Sequence, residues 1–262
     1  MSNSDIKIVY YDNELTDEFS TAEIKTKTVD KNFKYNGTIL RPVGRALIYH
    51  ALVKPSCYLY LKFCWGHKII GNEVIKEYSK KNYFLFGNHT NDICDAFIPS
   101  MLNFSKGTYV VVHANNVSIP LLGMVTPILG AIPLPTDSSG MRNFTTHIKK
   151  MCSKSKTITI YPEAHIWPYC TKIRNFTKDS FSYPVMSGAP SFCFVNTYHD
   201  WPGHKNPRII THVKGPFFPD SSLPVNKQKQ NLRDQIYDTM VELSKNNTLT
   251  LVEYLPKDTK EN

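Results

Sequence analysis

The chain has 262 residues, which is enough for one large domain or for one domain with an extension. Its 41% hydrophobic and 20% charged residues allow a sizeable buried core. Lys and Arg exceed Asp and Glu by 31 to 22, and the formal net charge of +9 favours an anionic partner, such as a phospholipid surface, a polyphosphate or nucleic acid.

The N-terminal region, residues 1–40, is predicted to be a polar extension, followed by the main domain over residues 41–262. Its alternating stretch 22–37 predicts a strand or a hairpin. No secretory signal is visible, and the six cysteines show neither a CxxC pair nor zinc-like spacing. We therefore expect free cysteines in a reducing compartment.

Residues 46–65 come nearest to a membrane-spanning segment. Charged residues and a proline interrupt the run before it reaches the ~18 apolar residues that a span requires. Aromatic rings interleaved with basic side chains suit the lipid headgroup boundary. The segment is predicted to be either a membrane-surface helix or a partly buried helix packed on the domain.

Beyond residue 83, strand-like and helix-like segments alternate. Apolar or β-branched runs predict strands at residues 83–87, 108–113, 157–161, 191–197 and 208–213. Helices are predicted around residues 95–104, 141–151 and 232–243, and the proline-rich residues 119–135 predict a loop with short pieces of order. This alternation predicts an α/β fold with a mostly parallel central sheet flanked by helices, and with chemistry at the strand ends.

Two of these strand ends carry polar residues of catalytic type. His89 follows the first buried strand, and Asp92 and Asp95 follow within six residues. A carboxylate could hold the imidazole in one tautomer, so that it takes a proton from a hydroxyl. The same residues also fit a helix N-terminus at which an aspartate caps and His89 only packs. The second strand end carries Glu163, in the sequence Tyr-Pro-Glu-Ala-His.

These segments, in this order, resemble the glycerolipid acyltransferase family, whose best-known members acylate lysophosphatidic acid. The family's first block consists of Asn-His, then four residues, then Asp. Asn88, His89 and Asp95 resemble this block. Its second block, a glycine-containing segment that ends in a basic residue, resembles residues 122–135, which include Gly130.

The later blocks complete the resemblance, which covers residues 83–195. The third block, an apolar strand running into Phe-Pro-Glu-Gly-Thr, resembles residues 161–165, where Ala and His replace Gly and Thr. The fourth block, an apolar strand near a proline, resembles residues 189–195.

Two departures from the family pattern affect the expected site. Five residues separate His89 from Asp95, because Cys94 occupies the usual aspartate position, and Asp92 is the alternative partner. The second block ends in Pro135, where the family has a basic residue for the acceptor's phosphate. Nearby basic side chains could supply the missing charge, or could simply be solvated: Arg142, Lys172 and Arg174.

The resemblance implies direct acyl transfer from acyl-CoA or acyl carrier protein to a lysophospholipid hydroxyl, at the cytoplasmic face of a membrane. It implies neither an acyl-enzyme, nor a cofactor, nor a metal, nor a nucleic-acid partner. The expected catalytic residues are His89 as general base and Asp95 as its partner. Backbone N–H groups near Gly130 or Glu163 are expected to stabilise the oxyanion. The expected substrate-binding residues are Asn88, Asp92, Gly130, Glu163, His165, Lys172 and Arg174.

Four other interpretations remain open at this point. A sugar or another polyol could be the acceptor. Cys94 could be a nucleophile, although a small buried cysteine is the common case. A zinc hydrolase would use several histidines, but none has a firm ligand spacing. A basic non-catalytic module that binds membrane or nucleic acid fits the charge, but leaves the ordered blocks unexplained.

Overall fold

Strands and helices alternate along the described part of this computed structural model, which comprises residues 6–19, 27–35, 45–118 and 122–260. The strands are β1 (Lys7–Tyr11), β2 (Lys68–Ile70), β3 (Tyr83–Gly87), β4 (Tyr109–Val112), β5 (Ala131–Pro133), β6 (Thr157–Ile160), β7 (Ser191–His199), β8 (Arg208–Phe217) and β9 (Val252–Pro256). The helices are α1 (Lys54–Trp65), α2 (Glu73–Lys76), α3 (Cys94–Leu102), α4 (Leu122–Leu129), α5 (Met141–Ser153), α6 (Ser182–Ser187) and α7 (Val225–Ser244).

The central sheet has the strand order β2-β8-β7-β3-β6-β4-β5. All neighbouring strands are parallel except β7 and β8, which are antiparallel. The predicted α/β class with a mostly parallel sheet is therefore confirmed. Because β3, β6 and β7 run side by side in one direction, the residues that follow Gly87 and Ile160 meet at one edge of the sheet.

Both faces of the sheet are covered, which explains why its central strands are continuously apolar. On one face, Phe84 and Phe86 pack in a cluster with Phe144 of α5 and Ile236 of α7. Alternate residues point to the opposite face, so Leu85 joins a second cluster with side chains of α1 and α3. The site edge is thus supported by two separate hydrophobic cores.

The clearest difference from the sequence prediction lies in residues 119–135. Residues 119–121 are outside the described residues, but a helix, α4, and a short strand, β5, occupy most of the predicted loop. Pro127 lies near the end of α4, where it removes only one intrahelical hydrogen bond. Gly130, with φ of 106°, reverses the chain directly from α4 into β5.

The described parts of the N-terminal region pack on the main domain. Strand β1 pairs in parallel with β9 in a separate two-stranded sheet, so a strand forms before the stretch where one was predicted. The described part of that stretch, residues 27–35, contains no strand, and the Tyr35 hydroxyl donates to the Pro133 carbonyl. The predicted boundary between residues 40 and 41 lies outside the described residues.

Residues 46–65 are helical, with a π-helical segment, Arg45–Val53, leading into α1. The helix α1 buries Leu61 and Trp65 against the domain, whereas Leu59 and Phe63 are exposed. One face is therefore packed and the other is open. Among the residues that the structure describes, no helix is both long and apolar enough to cross a bilayer.

Candidate active site

The centre of the site is a contact between His89, just after β3, and Asp95, in the first turn of α3. Nδ1 of the imidazole lies 2.9 Å from Oδ2 of Asp95. The histidine side chain is 18% exposed, whereas that of the aspartate is 1% exposed. Because the carboxylate engages Nδ1, Nε2 is the ring nitrogen left to meet a substrate.

The turn between β3 and α3 explains why Asp95, and not Asp92, meets the ring. Oδ2 of Asp95 also accepts the backbone N–H groups of Thr90 at 2.7 Å and Asn91 at 2.9 Å. The Asn91 side chain in turn caps the helix start by accepting the N–H of Cys94 at 2.9 Å. This tight turn absorbs the extra residue in the spacing and leaves Asp92 exposed.

Tyr161, the first residue after β6, fixes the plane of the imidazole. Its ring stacks on that of His89, with centroids 4.3 Å apart and an interplanar angle of 14°. Burial, followed by the charge of Asp95, raises the pKa of Tyr161 well above its usual value. The hydroxyl therefore stays protonated and donates a hydrogen bond to the backbone carbonyl of Asp95.

Glu163 and Arg174 form a buried ion pair behind the histidine. Nη2 of Arg174 lies 3.1 Å from Oε2 of Glu163, and their side chains are 2% and 0% exposed. The same carboxylate accepts the backbone N–H groups of His89 and Arg174, each at 3.0 Å. Both residues, which were predicted to bind substrate, are therefore buried and placed to hold the turn.

Asn88 and Gly130, two of the predicted substrate-binding residues, are buried and make hydrogen bonds within the protein. The Asn88 amide is 2% exposed. It accepts the N–H of Asn196 at 2.8 Å and donates to the Asn196 carbonyl at 3.0 Å. Gly130 is buried, and its carbonyl accepts the N–H of Val110 at 2.9 Å.

Three predicted substrate-binding residues remain accessible. Asp92 and Lys172 are exposed, and His165 is partly exposed. Nδ1 of His165 lies 3.2 Å from Oε2 of Glu18, in the N-terminal region. These side chains are free to meet a substrate without changing the hydrogen bonds of the His89–Asp95 pair.

The predicted oxyanion donors disagree with the observed hydrogen bonds. The N–H groups of Ala164 and His165 donate to the carbonyls of Tyr161 and Glu163 within their own turn. The N–H of Gly130 donates to the Pro127 carbonyl. Ala164 has φ of 64°, a conformation that the family's glycine would adopt without strain.

The cysteine alternative is disfavoured by burial. Cys94 is 0% exposed and lies in the hydrophobic cluster shared by α1 and α3. Desolvation, followed by the charge of Asp95, raises the pKa of its thiol far above the usual value. A thiol held in its protonated form is a poor nucleophile.

We expect Cys94→Ala to leave kcat close to that of the wild type, because no thiolate takes part. The lost sulfur should leave a small cavity that costs on the order of 1 kcal/mol in stability. Steady-state assays beside a thermal unfolding curve would separate the two effects. A loss of turnover as large as that of His89→Ala, in folded protein, would instead favour a cysteine nucleophile.

Within the described ranges, no group of three or more His, Cys, Asp and Glu side chains is arranged to hold a metal ion.

Comparisons with known proteins agree with this fold. The family model described as Acyltransferase matches residues 67–195. Among solved structures, the fold is similar to that of the 1-acyl-sn-glycerophosphate (LPA) acyltransferase PlsC from Thermotoga maritima. That match has a TM-score of 0.57 and 15% sequence identity, and covers 80% of this chain and 85% of that one. A comparison with curated protein sequences gives no match.

The family match, which spans His89, Asp95, Glu163 and Arg174, shows that this chain is an acyltransferase. More narrowly, the matched domain and the similar fold support the glycerolipid acyltransferase family, which the ordered blocks predicted. An acyltransferase domain also accounts for those blocks, which a non-catalytic nucleic-acid-binding module would leave unexplained.

Proposed function

We propose that this enzyme transfers a fatty acyl group from a thioester, acyl-CoA or acyl carrier protein, to the hydroxyl of a lysophospholipid. The observation that carries the proposal is the contact of His89 with Asp95 at the edge of the sheet, with Nε2 left for a substrate. An alcohol is a weak nucleophile at neutral pH, and a positioned imidazole is the usual base for it.

The reaction follows from the positions of these two side chains. Asp95 accepts a hydrogen bond from the Nδ1–H group of His89 and so directs the lone pair of Nε2 toward the acceptor. As Nε2 takes the hydroxyl proton, the alcohol oxygen attacks the thioester carbonyl and forms a tetrahedral intermediate. Collapse of this intermediate breaks the carbon–sulfur bond, and the imidazolium of His89 returns its proton to the leaving thiolate.

Lysophosphatidic acid is the first acceptor to test, since the similar solved structure is an acyltransferase for that lipid. With Arg174 buried, the exposed Lys172 and the partly exposed His165 are the side chains that we assign to an acceptor phosphate. The burial of Arg174 also favours the second candidate, a sugar or polyol acceptor, because it removes one expected cation from the site.

An exposed apolar stripe supports docking on a membrane surface, which we propose to be the cytoplasmic face. It consists of Ile48, Leu52, Leu59 and Phe63, which are 43%, 65%, 51% and 65% exposed and lie at helical spacing. Nζ of Lys62 lies 5.8 Å from the Phe63 ring centre. Apolar side chains next to a cation suit the boundary between acyl chains and anionic headgroups.

We expect the double variant Leu59→Ser/Phe63→Ser to bind anionic phospholipid vesicles about tenfold or more weakly than the wild type. The measurement is co-sedimentation with vesicles of phosphatidylglycerol and phosphatidylcholine. The matched control is Phe218→Ser/Val225→Ser, which alters side chains that are 51% and 59% exposed outside the stripe. Equal binding by both double variants would show that the stripe is not the docking surface.

The proposed function is tested by a transfer assay with labelled acyl-CoA and labelled acyl carrier protein. Each donor is offered to lysophosphatidic acid, other lysophospholipids, and sugars or polyols. Turnover confined to lysophospholipids supports the first proposal, and turnover confined to glycans supports the second. The variant His89→Ala should turn over every acceptor that the wild type uses about a hundredfold or more slowly.

A further inference from the structure

A row of buried hydrogen bonds runs from the catalytic pair to the turn after α1. Oδ1 of Asp95 accepts from Nδ2 of Asn196 at 3.1 Å, and Oδ1 of Asn196 accepts from the Thr211 hydroxyl at 2.7 Å. That hydroxyl oxygen lies 2.8 Å from Nε2 of His67. Asn196 and Thr211 are 1% and 0% exposed, so bulk water does not compete for these bonds.

Donor and acceptor chemistry gives this row a single direction. The Asp95 carboxylate can only accept, so Asn196 must turn its NH₂ group toward it. The Asn196 oxygen then needs a donor, which is the Thr211 hydroxyl. Thr211 in turn accepts from the Nε2–H of His67. Burial lowers the pKa of His67 to about 4, so the ring stays neutral at physiological pH.

Asn196 is fixed in place from two sides. The register of β7 and β8 sets it opposite Thr211. The Asn88 side chain, directly before His89, makes two hydrogen bonds to the Asn196 backbone. A residue held this firmly can orient a charged neighbour without itself moving.

We propose that Asn196, backed by Thr211 and His67, is a positioning residue that orients the Asp95 carboxylate toward His89. Oδ2 of Asp95 already serves His89 and two backbone amides, so Oδ1 depends on Asn196 for the donor that keeps the carboxylate from rotating. The inference rests on the proposed role of the His89–Asp95 pair.

This row also links the catalytic acid to the exposed helix. The backbone N–H of His67 donates to the Leu61 carbonyl, near the end of α1, at 3.0 Å. The helix that carries the exposed stripe is therefore tied to the catalytic acid by its own C-terminal turn.

The test removes one hydroxyl and then restores it. Thr211→Val, which keeps the shape of the side chain, should lower kcat about three- to tenfold with KM unchanged, because the residue touches no substrate. Thr211→Ser should return kcat toward the wild-type value. The matched control, Thr197→Val, removes a buried hydroxyl of β7 that contacts the Ile210 carbonyl and Nε2 of His199, outside the row, and should not lower kcat.

A second variant acts closer to the carboxylate. Asn196→Leu should lower kcat about ten- to a hundredfold, because a charged acceptor loses its donor. The threonine pair keeps the proposal testable should this variant fail to fold. Equal kcat for Thr211→Val and the wild type would overturn the proposal.

A spectroscopic readout separates this inference from the proposed function. In ¹⁵N-histidine-labelled protein, His67 should be a neutral ring protonated at Nε2, and Thr211→Val should remove that preference. With nine histidines in the chain, His67→Gln assigns the signal. A His67 ring protonated at Nδ1 would contradict the proposed order of donors and acceptors, even if the enzyme is active. Absence of acyl transfer by the wild type would instead overturn the proposed function, whatever the tautomer.

Discussion

His89→Ala is expected to lower kcat for acyl transfer by about 10²- to 10⁴-fold, the usual contribution of a positioned general base. The variant leaves the acceptor hydroxyl without a proton acceptor, since Asp95 is 1% exposed behind the ring. KM for the donor should change little, because the imidazole is proposed to act on the acceptor. Steady-state kinetics with the preferred donor and acceptor would measure both constants.

The control is His204→Ala, which removes an exposed histidine that contacts the Pro202 carbonyl and the Trp201 ring. It should retain the wild-type kcat, and circular dichroism should show both variants folded. Comparable activity in His89→Ala and the wild type would remove the general base from the proposed mechanism.

Arg174→Met should cost about 3–5 kcal/mol of unfolding free energy, because it leaves the buried carboxylate of Glu163 without its counter-ion. The long apolar side chain of methionine keeps most of the packed volume. The substitution also removes the cation–π contact in which the Arg174 guanidinium lies 4.7 Å from the Trp167 ring centre. Chemical denaturation with two independent probes would measure the change.

A double-mutant cycle identifies the cause of that loss. Glu163→Gln/Arg174→Met removes both charges and should recover part of the stability lost in the single variant. Lys245→Met breaks the exposed ion pair with Glu242, where the side chains are 68% and 70% exposed, and should change stability little. A loss in Arg174→Met no greater than in Lys245→Met would show that the buried pair contributes nothing particular.

Local patterns predicted β3 and β6, whose burial is uniform, and α7, whose buried side chains recur at helical spacing. They did not predict β2, a three-residue edge strand in which exposed and half-buried side chains alternate. The pairing of β1 with β9 joins the two ends of the chain, and no local pattern encodes such a contact. A loop was predicted in place of α4 because residues 119–135 are rich in proline. Pro127, the proline within the helix, lies near its end and does not prevent it from forming.

The same distinction applies to the site: local sequence patterns predicted some of its residues, whereas others depend on contacts between distant parts of the chain. His89, Asp95 and Glu163 were predicted from their places after buried strands. The contribution of Asn196 depends on the register of β7 with β8, which the sequence alone did not supply. The available signal was an amide side chain directly after the apolar run 192–195 in the same strand. The burial of Arg174 likewise required knowing that its loop folds back onto Glu163.

The central claim is that His89 activates the acceptor for direct attack on the thioester. Rapid-quench single-turnover experiments with radiolabelled donor and acceptor test it most directly. The account predicts that labelled product forms in one phase as donor disappears, with no acyl group bound to protein, and that His89→Ala slows this phase by about 10²- to 10⁴-fold. Build-up of acylated protein before product, or an unchanged rate in the variant, would contradict it.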